Sequence, residues 1–251
     1  MAQKVLVTGM SGLIGSALRQ QLGDKYDLSA LNRRDIPGIV CHCADIADLG
    51  AIQPAFEGKE TVVHLAALAS NTATWEEILH HNIIGTYNVF EASRRAGVKR
   101  VIFASSGSTV VGWETTSPYL ALIQENPPKP LPNWDKLTRE STTWPDGLYG
   151  CSKIWGEVLA HYFTDTSALS ILCIRIGAVN HPDRPSRARE FSVWCSQRDI
   201  VHMIERCIEA PQDLRYDIFF AISNNSLSYR DTSHAQKTLG FEAQDSADYF
   251  R

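Results

Sequence analysis

Residues Lys4–Gly15 read KVLVTGMSGLIG, an apolar strand that runs straight into three glycines and then into an apolar helix. Val5, Leu6 and Val7 have the continuous apolar character of a buried strand. Gly9, Gly12 and Gly15 remove side chains where the chain must turn tightly and where a pyrophosphate would approach the backbone. The helix opening at Leu13 and Ile14 offers free N–H groups and the positive end of its dipole to that phosphate. A ligand-free turn from strand to helix has the same local pattern. Position one strand from the amino end favours dinucleotide binding, although the spacing is TGxxGxxG and departs from GxGxxG.

Outward from this stretch, strand and helix patterns alternate. Tyr26–Leu31, Ile39–Cys43 and Thr61–Leu65 read as strands two to four. Trp75–Gly97 has helical spacing of apolar residues, and Arg100–Ala104 reads as strand five. A helix over Leu148–Phe163, a strand over Ser170–Ile176, a helix after Asp199, a strand over Asp217–Ile222 and a helix near Asp231–Leu239 follow. Such alternation predicts an α/β fold with a doubly wound parallel sheet. Its 251 residues suffice for one domain over 1–251, with a small C-terminal substrate-binding lobe. Segments 112–147 and 177–198 are expected to cover the substrate. The first of these is long and irregular, rich in proline, and carries Trp113, Trp134 and Trp144. Loops of that length are usually functional or disordered, and its aromatics argue against disorder, so it reads as an aromatic lid.

Twenty-four basic against twenty-eight acidic residues give a net charge of −4, with no basic block. This balance favours a small-molecule substrate over nucleic acid or a membrane surface. No stretch has the length of a membrane span, and the first residues form a strand where a secretory leader would be charged and then apolar. A cytoplasmic, homo-oligomeric protein is expected. Six cysteines suit reduced thiols, and Cys41-His42-Cys43 lacks a second ligand pair, so alternation on a strand explains it better than a metal; no metal is expected.

Ligands of a doubly wound sheet collect at the carboxyl ends of its strands. At the end of the second strand stand Asn32 and Arg33, where an acidic residue would select NAD. An amide followed by a guanidinium favours the extra phosphate of NADP, while a solvated basic turn is the plainer alternative. Asp45 and Ile46 are placed to bracket the adenine, although Asp45 also suits a helix N-cap. The fifth strand ends in Ser105-Ser106, and Tyr149 and Lys153 follow at one-turn spacing on a common helical face. A phenol that must act as a base needs such a neighbouring ammonium, because a free tyrosine holds its proton to about pH 10.

The combination of TGMSGLIG, Asp45, HLAA at 64–67, Asn82, FASS at 103–106 and YGCSK at 149–153 resembles the extended short-chain dehydrogenases/reductases, in the NAD-dependent epimerase/dehydratase group. The runs DGLYGCSKIWGE, RIGAVN, SVWCSQRDIVHMIE and DTSHAQKTLGFE look most like uronate dehydrogenases, which oxidise the anomeric hydroxyl of a hexuronic acid. The resemblance implies Ser106, Tyr149 and Lys153 as the catalytic trio and Arg189 as the grip on a sugar carboxylate. It further implies that Leu65, Ala66, Ala67, Asn82, Ser105 and Ile176 join the cofactor site, and that Ser70, Gly107, Ser108 and Ala178 face the substrate.

Where that family reads Ser-Asn-His, this chain reads Ser106-Gly107-Ser108, so two sugar contacts are missing. The expected function is an NAD(P)-dependent oxidoreductase acting on the anomeric or a secondary hydroxyl of a sugar or sugar acid. An NDP-sugar epimerase or dehydratase and a catalytically silent dinucleotide sensor are the alternatives.

Overall fold

The computed structural model describes residues 2–251. Seven strands form one sheet: β1 (Lys4–Thr8), β2 (Asp27–Asn32), β3 (Val40–Cys43), β4 (Thr61–His64), β5 (Arg100–Ser106), β6 (Ser170–Ile176) and β7 (Tyr216–Ala221). Their order is β3-β2-β1-β4-β5-β6-β7, and every neighbouring pair is parallel. The strand order reverses direction between β1 and β4, so a crevice opens there at the carboxyl ends. Strands β4 and β6 are buried along their whole length, including the polar Thr61, His64, Ser170 and Arg175.

The helices are α1 (Leu13–Leu22), α2 (Leu49–Ile52), α3 (Trp75–Ile78), α4 (Gly85–Arg95), α5 (Tyr119–Leu122), α6 (Leu148–Thr166), α7 (Glu190–Val193), α8 (Gln197–Ile208) and α9 (Ser233–Leu239). The expected helix from Trp75 to Gly97 is interrupted: Leu79–Ile84 is wound as a π-helix between α3 and α4. Helix α8 starts at Gln197, two residues before the expected Asp199, because Ser196 caps it by accepting from the Asp199 N–H at 2.9 Å.

Two apolar cores sandwich the sheet. One packs Leu18 and Leu22 of α1 with Met203, Ile204 and Cys207 of α8 against Val5, Val7 and Ile174. The other packs Val89 and Phe90 of α4 with Ala160 and Phe163 of α6 against Leu6, Val62 and Val101. A third, smaller core joins Val110, Tyr119, Leu122 and Leu137 to Val193, Phe220, Leu227 and Tyr229. The small lobe is therefore composite: the long segment after β5 supplies half of it, and the chain's last quarter supplies the rest.

That packing shows where the tryptophans of the long segment sit. Trp113 and Trp134 lie against the third core, with Trp113 Nε1 donating to the Thr142 carbonyl at 2.9 Å and Trp134 Nε1 to the Ser228 carbonyl at 3.1 Å. Trp144 stacks edge-on against Trp113 with centroids 5.5 Å apart and remains 43 % exposed. The indoles chiefly build the lobe itself.

Candidate active site

The glycine loop is shaped by close approach. Gly9 has φ +70°, and a Cβ there would lie 2.9 Å from the Ala66 backbone; a Cβ on Gly15 would lie 2.5 Å from Met10 Cα. Gly12 sits at the N-cap of α1 with no side chain capping the helix, so the first N–H groups of a ten-residue helix are open. A cradle lined by backbone and closed to side chains fits a pyrophosphate.

Two adjoining cavities share Gly9, Gly12, Leu65 and Ala67. One, about 450 Å³, reaches under β2 and β3 and is lined by Ser11, Asn32, Arg33, Asp45, Ile46, Ala66 and His81, among others. The other, about 250 Å³, runs past Leu13, Ile14 and Gly15 to Ser105, Ser106, Tyr149, Lys153, Ile176, Gly177 and Val179. Together they line one side of the sheet's carboxyl edge from Asn32 to Ser106, with the trio at the far end. A larger cavity of about 680 Å³ opens at the opposite, amino ends of β4 to β6, beside Arg100 and Pro211. It is remote from the glycine loop and the trio, and the Arg100 guanidinium there is spent on carbonyls of Cys207, Ala210, Pro211 and Leu214.

At the far end, the Ser106 hydroxyl accepts from the Ser108 N–H at 3.1 Å. Burial raises the Tyr149 phenol above its ordinary pKa, and a hydrogen bond with Ser106 opposes the rise. Lys153 Nζ stands 5.6 Å from the Tyr149 ring centroid and 4.9 Å from that of Phe103. Burial brings Lys153 down to about 7, although Glu157 pulls it the other way. Ser106, Tyr149 and Lys153 are thus brought together as expected.

Several expected contacts fall elsewhere. The Ser105 hydroxyl turns away from the cleft and donates to Glu157 Oε1 at 2.6 Å. Asn82 is buried behind the wall: its Oδ1 accepts from the Leu68 N–H at 2.8 Å, and its Nδ2 donates to the Leu68 carbonyl and the Ser152 hydroxyl. It ties the loop after β4 to α6 and has no free atom for a ligand edge. Ser70 bonds Thr72, and Ala178 pairs with Trp194 in an isolated bridge; neither lines the cleft. Arg189 makes a two-point ion pair with Glu114, through Nε at 2.5 Å and Nη2 at 2.7 Å. Gly107 is buried, and a side chain there would collide with the Arg230 guanidinium.

At the adenosine end, Asn32 Nδ2 donates to the Ser11 hydroxyl at 3.0 Å and to the Arg34 carbonyl at 3.1 Å, which leaves Arg33 exposed at the rim. Asp45 accepts from the Ala47 N–H at 2.9 Å and pairs with His80 at 3.1 Å. Ligand atoms of Asp35, Cys41 and Cys43 lie within 4.8 Å of one another, as do those of Asp45, His80 and His81. Asp35 is the neighbour that the Cys41-His42-Cys43 run could not reveal. Each group is one donor short of a four-coordinate structural zinc site.

Glu157 went unnoticed in the sequence, although it lies four residues after Lys153 on the same helical face. It is buried, forks onto Arg175 (Nε to Oε1 2.9 Å, Nη2 to Oε2 2.8 Å) and holds Ser105. His64 ends β4 inside the sheet. Its Nδ1 lies 2.8 Å from Thr8 Oγ1 and its Nε2 3.3 Å from Thr86 Oγ1, and burial drives its pKa down to about 3.

A family profile described as NAD dependent epimerase/dehydratase family matches residues 5–191. A curated NAD-dependent glucose-6-phosphate dehydrogenase of Haloferax volcanii is 35% identical over 100% of this chain and 96% of its own length. An L-arabinose 1-dehydrogenase (NAD(P)(+)) of the same organism is 29% identical over 97% of each chain. The crystal structure of a uronate dehydrogenase from Agrobacterium tumefaciens superposes with a TM-score of 0.83 at 32% identity, covering 99% of this chain and 87% of that one. With the glycine cradle, the parallel sheet and the Ser106, Tyr149 and Lys153 cluster in place, the chain belongs to the NAD dependent epimerase/dehydratase family.

Proposed function

We propose that this protein is an NAD(P)-dependent dehydrogenase that oxidises a ring hydroxyl of a sugar or sugar acid, the anomeric one first among candidates. The observation that carries the reading is the convergence of Ser106, Tyr149 and Lys153 at the end of a cleft that starts at the glycine loop. The bound dinucleotide would supply the hydride acceptor. Ser106 holds the substrate oxygen beside the phenol. Tyr149, as phenolate, takes the hydroxyl proton, and the Lys153 ammonium favours that phenolate. The full-length likeness to dehydrogenases of glucose 6-phosphate and L-arabinose supports a sugar over other alcohols.

Asn32 and Arg33 support acceptance of NADP, since no carboxylate stands at the end of β2 to repel the extra phosphate. The names of the two relatives cited, one NAD-dependent and one NAD(P)-dependent, weigh toward NAD as the shared cofactor. Self-association is part of the reading: Tyr87 of α4 and Val158 and Tyr162 of α6 are 44 %, 65 % and 60 % exposed on neighbouring helices, a partly apolar face suited to a second copy. Among the described residues no helix is long and apolar enough to cross a membrane, and a cytoplasmic setting is proposed.

The direct test is absorbance at 340 nm with a panel of aldoses and uronic acids, each with NAD and with NADP. Net reduction of the dinucleotide is expected. Sugar interconversion without such a change would replace the dehydrogenase with an epimerase.

A further inference from the structure

Strand β3 forms the edge of the sheet, and its alternation puts Cys41 and Cys43 on one face, opposite Ala30 and Asn32 of β2. His42 points the other way, with Nε2 2.7 Å from the Ala51 carbonyl. The segment after β2 turns back over the thiol face. Cys41 Sγ lies 3.7 Å from the Arg34 carbonyl, and Asp35, the next residue, brings its carboxylate to the thiols. A carboxylate oxygen and the two sulfurs all lie within 4.8 Å of one another. Cys43 and Asp35 are exposed and Cys41 is partly buried, so the cluster opens to solvent.

The chemistry of the three donors decides what the cluster takes. Two zinc–sulfur bonds of about 2.3 Å at a tetrahedral angle set the sulfurs about 3.8 Å apart, and a carboxylate oxygen reaches the same centre at about 2.0–2.2 Å. Rotation of exposed side chains closes the difference from the observed spread. Sulfur donors favour zinc or cadmium over magnesium or calcium. A disulfide fits less well. Residues two apart on a strand have Cα atoms about 6.6 Å apart, near the upper limit of about 6.8 Å for such a bridge. An ion between the sulfurs leaves β3 straight. Its binding forms two metal–sulfur bonds and one metal–oxygen bond, any thiol proton displaced leaves to solvent, and no oxidant is required. The Asp45, His80 and His81 group is the weaker candidate, because Asp45 and His81 line the cleft already described and Asp45 is paired with His80.

We propose that Asp35, Cys41 and Cys43 form a binding site for one thiophilic divalent cation, zinc foremost, with water completing the coordination. The ion ties the turn after β2, which carries Arg33, to the edge strand. This site is independent of the dehydrogenase reading.

The test is titration of the full chain, reduced and stripped of metal, with Zn²⁺ against a competing chromophoric chelator and with Cd²⁺ by ultraviolet absorbance. Wild type is expected to take one Zn²⁺ with micromolar or tighter Kd and to show a thiolate-to-cadmium charge-transfer band. Cys41→Ser with Cys43→Ser should weaken Zn²⁺ at least tenfold and abolish the band. Cys43→Ser alone, at an exposed position, guards against poor folding of the double variant and should also weaken Zn²⁺ at least tenfold. Asp35→Asn should keep the band and weaken Zn²⁺ at least threefold. Cys151→Ser, at an exposed thiol elsewhere, should change neither readout. The proposal is overturned if wild type binds no Zn²⁺ at micromolar concentration or shows no band. It is overturned too if the cysteine variants keep their affinity within tenfold, which would move the ion to Asp45, His80 and His81. A smaller than threefold change in Asp35→Asn overturns the three-donor set.

Discussion

Lys153 places its ammonium nitrogen 5.6 Å from the centre of the Tyr149 ring, one turn earlier on the same helix. Neither side chain has its ordinary acidity: burial raises the phenol and brings the amine down to about 7. A positive charge at Lys153 is therefore available around neutrality and is lost above it in the ligand-free protein. Tyr149→Phe should lower kcat by about 10²–10⁴, the usual contribution of a positioned acid or base. Dinucleotide affinity should stay within a few-fold, because the glycine loop is untouched. Full turnover in that variant would remove Tyr149 from the chemistry.

Buried His64 predicts acid lability. Its folded pKa, about 3, lies below the unfolded value near 6.5, so the unfolded chain binds the extra proton between these limits. The stabilisation is complete above pH 6.5 and declines as pH falls toward 3, by at most about 1.4 kcal/mol per pH unit. Urea unfolding at pH 7, 6 and 5 should show this decline in wild type and a shallower one in His64→Gln. Parallel lines for the two proteins would mean that other groups set the acid limb.

The Glu157 and Arg175 pair is sealed beneath the trio, with 4% and 2% side-chain exposure. Removing one charge strands the other, so Glu157→Gln is expected to cost about 3–5 kcal/mol of stability. The same substitution weakens the acceptor that holds the Ser105 hydroxyl, since an amide oxygen replaces a carboxylate, and removes the influence that raises Lys153. A loss under 1 kcal/mol in thermal unfolding would contradict this account.

Much of the fold could be read from the chain itself, for a physical reason. Central parallel strands bury both faces, so β1, β4, β5 and β6 have largely apolar centres such as VLV and VIFA, and the glycines after β1 mark the crevice. The clustering of Ser106, Tyr149 and Lys153 was legible because these residues are local in sequence or end a strand. What escaped is non-local. Glu114 and Arg189 are separated by 75 positions, and no spacing rule links them. Ser105 and Asn82 stand where ligand contacts are expected, but their side chains satisfy buried partners instead. A sequence cannot show that Trp113 and Trp134 pack on a small third core, because their partners lie far along the chain.

Cofactor choice has a simple test at the rim. Arg33→Ala should weaken NADP by up to about tenfold and leave NAD nearly unchanged, since only NADP carries a phosphate for that guanidinium. Titration of both dinucleotides against both proteins decides it. Identical NADP affinities would mean that Arg33 faces water.

The exposed α4 and α6 face predicts its own outcome. Val158→Glu with Tyr162→Glu should convert an assembled protein to monomer in light scattering, with little change in unfolding midpoint, because both side chains are already largely exposed. A wild type that is monomeric at micromolar concentration would refute the self-association reading.

The space at Gly107, filled by the Arg230 guanidinium, also constrains how this sequence can change over time. Any side chain introduced at 107 must displace the Arg230 guanidinium, while removal of Arg230 takes a partner from the Gly107 carbonyl and from Tyr229. Tolerance at 107 therefore depends on whether the Arg230 side chain can shift, and a change at 230 alters the room open to a side chain at 107.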